Sequence, residues 1–141
     1  MIDTATRNRQ PIGDITTTRS DRGIVDFLRA MVLTPPHGAE RFHVLFLDDQ
    51  RGYRGDAAMG QGGPGQLSVR MRAIFRGALS LDARGIIVAH NHPSGYCRPS
   101  AFDIAASRRL KAVARSLDIE LLDHLIFTHD AAYSMRAGGS L

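Results

Sequence analysis

Apolar positions along the chain recur with two different periods, and each change of period marks an element. From Ser20, residues Ile24, Phe27, Leu28, Met31 and Val32 return at helical spacing, which predicts a helix of about three and a half turns with one buried face. Pro35 and Pro36 end it, because proline cannot continue the hydrogen-bond ladder and restricts the residue before it. In RFHVLFLD (41–48), Phe42, Val44 and Phe46 alternate with His43, Leu45 and Leu47. Apolar side chains on both faces predict a central strand. DQRG (49–52) reads as a turn, 53–58 as a weaker strand pairing back, and GQGGPGQ (60–66) as a loop.

Helical spacing then returns. Ser68 is placed to cap a helix over 69–82 with the stripe Met71, Ile74, Phe75, Ala78 and Leu81. GIIVAH (85–90) is short and rich in β-branched residues, so it predicts a buried strand. A third helix is expected over 100–117, with Ala106, Leu110, Val113 and Leu117 on one face and Arg108, Lys111 and Arg115 on the opposite one. IELL (119–122) and HLIF (124–127) predict two further strands and AAYSMR (131–136) a last one. The order gives an α/β (α+β) fold, a mixed sheet flanked by helices. Residues 1–19 are polar and aperiodic, which predicts a flexible arm ahead of a single domain over 20–141.

Composition narrows the class. The longest apolar runs fall far short of the roughly 18 residues a membrane span needs, and the first ten residues lack the apolar core of a secretory signal. Cys97 is the only cysteine, so no disulfide can form within the chain; a cytoplasmic protein is expected. The formal charge is +4, almost all of the positive charge being arginine. The arginines are spread along the chain, aromatics are 6% and tryptophan is absent. Direct nucleic-acid binding is therefore not expected.

The chemistry concentrates in HNHPSGYCRPSAFD (90–103). His90 ends a buried strand and His92 follows two residues on, so in extended chain both imidazoles point to one side. Pro93 favours that extended backbone. If Ser100 caps the third helix, Asp103 lies in its first turn and can turn its carboxylate back toward the strand end. Two histidines and one aspartate leave a fourth position open for water, the layout of a catalytic zinc site. The same residues also read as a strand-to-helix turn with a capping box, Ser100-x-x-Asp103. Helix geometry can serve both purposes.

The whole string resembles the JAMM (MPN-type) zinc metalloproteases, and within them the bacterial RadC-like family, whose signature is HNHPSG followed by Pro-Ser-x-x-Asp. AERFHVLFLDDQ (39–50), RAIFRGAL (72–79) and LDIELLDHLIF (117–127) are similar to further segments of that family, so the likeness covers about residues 38–141. The resemblance implies an MPN/JAB-domain, cytidine-deaminase-like architecture and a zinc-dependent peptidase or isopeptidase acting on a protein or peptide substrate. His90, His92 and Asp103 would bind Zn2+. Glu40 would be the general base toward the attacking water, and Ser100 would orient that water or hydrogen-bond the developing oxyanion. The chain differs from the family where it has Met71-Arg72-Ala73 and Gly62-Gly63, positions that bear on substrate binding. A second reading is a non-catalytic binding module on the same fold, associated with DNA repair. Cys97 reads as a loop residue without special chemistry, His43 and His124 as buried, hydrogen-bonded histidines, and His37 and His129 as exposed.

Overall fold

Strands with apolar side chains on both faces need cover on both faces. The computed structural model supplies it over the residues it describes, 19–36, 38–60 and 67–141. The elements are α1 (Arg19–Val32), β1 (Phe42–Leu47), β2 (Tyr53–Ala58), α2 (Leu67–Ser80), β3 (Gly85–Asn91), α3 (Ala101–Ser116), β4 (Glu120–Phe127) and β5 (Ala132–Ser134). Among the described residues the strands form one sheet in the order β2-β1-β3-β4-β5. β1 runs antiparallel to β2 and β3, β4 parallel to β3, and β5 antiparallel to β4. α1 covers one face, with Val25, Leu28 and Val32 against Leu45, Ile87 and Leu125. α2 and α3 cover the other, with Ile74, Ala78, Leu110 and Ala114 packed on Phe46, Ile86, Val88 and Leu121. α2 approaches β1 closely at Gly77, where a Cβ would stand 2.9 Å from the Phe46 ring.

Several boundaries differ from the sequence expectations. α2 begins at Leu67, so Ser68 lies inside its first turn rather than capping it. The arm expected over 1–19 and most of the 60–66 loop lie outside the described residues, as does His37; Arg19 already belongs to α1. On α3 the buried residues are Ser107, Leu110 and Ala114, while Leu117 is an exposed cap. The stripe is displaced because Ser107, though polar, has a buried hydrogen-bond partner in His124.

The two strands expected over 119–127 are one, β4. The pairing with β3 steps from Ile86–Leu121 to Ile87–Asp123, so Leu122 is the extra residue of a bulge. A one-residue step exchanges the faces of everything beyond it. It turns His124 onto the face that carries Val88 and His90.

Asp123, at this bulge, interrupts the apolar pattern yet is fully buried. Its carboxylate accepts hydrogen bonds from the His124 and Arg136 backbone N–H groups and from the Ser134 hydroxyl. Burial pushes its pKa up to about 6, more than these donors and Arg136 pull it down. An acid whose folded pKa is raised favours the fold while protonated. That stability is present below the unfolded value near 3.9 and is lost as pH rises through about 6. Asp123→Asn should remove this loss. In urea titrations the variant should gain up to about 3 kcal/mol on wild type between pH 4 and pH 7; an unchanged difference would contradict the burial argument.

No helix among the described residues is long and apolar enough to cross a membrane.

Candidate metal centre

β3 is the middle strand, buried over all seven residues, and it delivers His90 and Asn91 at its end. The chain then turns. His92 O accepts a hydrogen bond from Gly95 N at 3.0 Å, and Gly95 takes φ 86°, a conformation that favours glycine. The loop reaches Ser100, which caps α3. The Ser100 hydroxyl accepts from Asp103 N at 3.0 Å, and Asp103 Oδ2 accepts from Ser100 N at 2.9 Å, a reciprocal capping box. Asp103 thus sits in the first turn of α3 with its carboxylate held toward the end of β3, where the helix dipole favours negative charge.

The three candidate ligand side chains converge. His90 Nε2 and His92 Nε2 are 2.9 Å apart. His92 Nε2 is 3.1 Å from Asp103 Oδ2, and His90 Nε2 is 3.5 Å from Asp103 Oδ1. An ion with tetrahedral bonds of about 2.0–2.2 Å separates its ligands by about 3.3–3.6 Å, so the cluster has the size of one such site. The donor set points the same way. His92 Nδ1 lies 2.7 Å from the Tyr96 carbonyl, which can only accept, so Nδ1 carries the proton and Nε2 of the neutral ring presents a lone pair. That lone pair faces a carboxylate oxygen, an arrangement that calls for a cation or a proton between them. The electrostatics agree. Burial disfavours charge on His92, but the hydrogen bonds to Asp103 and to the Tyr96 carbonyl outweigh it and raise its pKa. Burial likewise works to raise Asp103, yet the bonds with His90 and His92 hold its carboxyl far below the usual carboxylate range.

All five residues singled out in the sequence, Glu40, His90, His92, Ser100 and Asp103, line one pocket of about 410 Å³. Glu40 is exposed and sits in the chain just ahead of β1. Cys97 stands apart from the ligand cluster. It is buried, its thiol donates to the Ile126 carbonyl, and burial pushes its pKa up to about 11, which leaves it an inert packing residue.

Three residues join the site that the sequence did not single out for it. Asn91, between the two histidines, clamps the segment that carries Glu40. Its Oδ1 accepts from Arg41 N at 2.6 Å and its Nδ2 donates to Ala39 O at 3.0 Å, so both neighbours of Glu40 are tied to the end of β3. His124 and Ser107 stand behind His90. His90 Nδ1 is 2.7 Å from His124 Nε2, and His124 Nδ1 is 2.5 Å from the Ser107 hydroxyl. Burial, and next the neighbouring His90, hold His124 neutral. When His90 Nε2 serves as a ligand, its Nδ1–H donates to His124 and the His124 Nδ1–H donates to Ser107, whose hydroxyl donates to Met135 Sδ, so His90 Nδ1, both His124 nitrogens and the Ser107 hydroxyl are all satisfied. Partners of this kind fix the tautomer and orientation of a metal-bound histidine. His124→Leu should lower metal affinity by about 10- to 100-fold in chelator competition, while His124→Gln, whose carbonyl can still accept from His90, should recover much of it. Equal affinities for wild type and His124→Leu would remove His124 from the site.

Comparison with known proteins agrees with the motif. The family described as RadC-like JAB domain matches residues 12–140. A UPF0758 protein of Methylibium petroleiphilum is 36% identical over 122 residues, covering 86% of this chain and 54% of the relative. One from Flavobacterium johnsoniae is 38% identical over 99 residues, covering 70% and 42%. One from Acidithiobacillus ferrooxidans is 40% identical over 100 residues, covering 71% and 45%. The chain spans about half the length of these curated relatives. With its layered mixed sheet, its HNHPSG turn and its capped Asp103, the chain belongs to the RadC-like JAB domain family.

Proposed function

We propose that this protein is a zinc-dependent metallopeptidase or isopeptidase of the cytoplasm, hydrolysing a peptide or isopeptide bond in a protein or peptide substrate. The observation that carries the reading is the convergence of His90, His92 and Asp103 in the pocket that also holds Glu40 and Ser100. His90 Nε2, His92 Nε2 and one Asp103 oxygen would hold the ion. Bound there, zinc would supply a Lewis acid and would lower the pKa of water to about 7. Glu40, exposed at the pocket rim, accepts the proton of the attacking water on its carboxylate and returns it to the leaving nitrogen. Asn91 keeps that carboxylate in place through its hold on Ala39 and Arg41. The Ser100 oxygen already accepts from Asp103 N, so its own O–H is available to donate to the developing oxyanion. Phe42, Met71, Ile74 and Leu110 line the pocket with apolar surface that limits water around the reacting groups.

A nucleic-acid module is the less favoured reading. Lys111 and Arg115 line a cleft with Arg51, Arg84 and Arg136, but Asp49, Asp118 and Glu120 share it. The Glu120 carboxylate lies 3.3 Å from Arg51 and 3.8 Å from Arg136. Mixed signs, at the C-terminal end of α3 where cations offset the helix dipole, suit a structural role. The test is cleavage. Zinc-loaded protein is incubated with a library of peptides and isopeptide-linked conjugates, and products are read by mass spectrometry beside metal-stripped protein. Zinc-dependent cleavage is expected. A loaded protein that cleaves nothing, yet binds duplex DNA tightly and salt-sensitively until Lys111 and Arg115 are neutralised, would favour the binding module.

A further inference from the structure

The pocket holds one charged side chain that neither the metal cluster nor the proton transfer uses. Arg70, in the first turns of α2, is half-buried with its guanidinium 4.5 Å from the centroid of the Phe42 ring. Phe42 in turn stacks on His90, with ring centroids 6.1 Å apart and planes 16° from parallel. One aromatic ring therefore separates Arg70 from a candidate metal ligand, and both face the same cavity. Among the described residues Arg70 forms no hydrogen bond or ion pair. Its electrostatic neighbour is Glu40, across the pocket rim. A guanidinium offers five N–H donors in a fixed fork that matches a carboxylate. Half-buried, and with no protein acceptor among the described residues, it has N–H donors left free for a ligand.

We propose that Arg70 is a specificity-determining residue of this pocket and receives a carboxylate on the substrate, so that the peptide or isopeptide taken there carries an acidic group close to the bond cleaved. The proposal rests on the peptidase reading above and adds a substrate class to it. Phe42 is the shelf over which the guanidinium sits, and among the described residues no other arginine or lysine lines the pocket. The fork also explains why the position suits arginine better than lysine, which cannot stack or bind in a bidentate way.

Binding reads the proposal without requiring turnover. The probes are acetylated, amidated glycine-alanine pentapeptides that differ only in carrying Glu or Gln, with that position walked along the chain. Titrated into zinc-loaded protein, the best-placed Glu peptide should bind about 10- to 100-fold more tightly than its Gln partner, the range of a charge-assisted hydrogen-bond pair. The ratio should survive removal of the zinc, fall to near one in Arg70→Gln, and be partly kept in Arg70→Lys. Zinc content of one per chain in the variants shows that the fold and cluster persist. A ratio that survives Arg70→Gln but vanishes on stripping the metal would mean that the carboxylate binds the ion, and would overturn the proposal. So would equal weakening of both peptides with the ratio unchanged, which would make Arg70 a wall or a partner of Glu40 only. Absence of a ratio at every position in the wild-type protein would overturn it too. Failure of the peptidase reading shows separately, as absence of cleavage while the binding ratio stands.

Discussion

His92→Ala should abolish stoichiometric zinc binding. Of the three candidate ligands His92 is the one whose lone pair is fixed by a neighbour that can only accept, the Tyr96 carbonyl at 2.7 Å. Its Nε2 stands 2.9 Å from His90 Nε2 and 3.1 Å from Asp103 Oδ2, closer to both than they are to each other. Structural zinc sites bind with about 10–16 kcal/mol spread over four ligands. One ligand is then worth about 3–4 kcal/mol, or about 10²–10³-fold in affinity. A site reduced to His90 and Asp103 should lose its ion to a mild chelator that the wild type withstands. The fold should persist, because His92 lies beyond the last residue of β3 and is part-exposed. Elemental analysis after dialysis checks this; one zinc per chain in the variant would contradict the ligand assignment.

Glu40→Gln should leave zinc in place and remove most of the hydrolysis. The substitution preserves shape and removes only the ability to take a proton. Glu40 is exposed, and no hydrogen bond of its side chain holds the fold together among the described residues. A positioned acid–base group is worth about 10²–10⁴-fold, and kcat for any peptide that the wild type cleaves should fall by that factor with KM little changed. Wild-type kcat in Glu40→Gln would remove Glu40 from the chemistry.

What the sequence made legible follows from how local each feature is. The two histidines, Ser100 and Asp103 lie within fourteen residues, so strand alternation and one helix cap suffice to bring them together. The central position of β1 was legible for the same reason, from apolar residues on both of its faces. Glu40 was not: ahead of β1 it reads as a surface charge, and only the family resemblance singled it out. Its place at the pocket depends on Asn91, fifty residues away in the chain from Arg41. His124 was read as a buried, hydrogen-bonded histidine, which it is. That its partner is His90 depends on the bulge at Leu122, and a bulge leaves in the sequence only a broken alternation, which read as two strands. Ser107 was hidden by its polarity, since a helix stripe drawn from apolar residues alone passes it by.

X-ray absorption at the zinc edge of the fully loaded protein tests the centre itself. The predicted spectrum is that of a four-coordinate ion with two imidazole nitrogens and the rest oxygen, the oxygens coming from Asp103 and solvent. A sulfur scatterer, which would bring in Cys97, or the absence of imidazole scattering would contradict it.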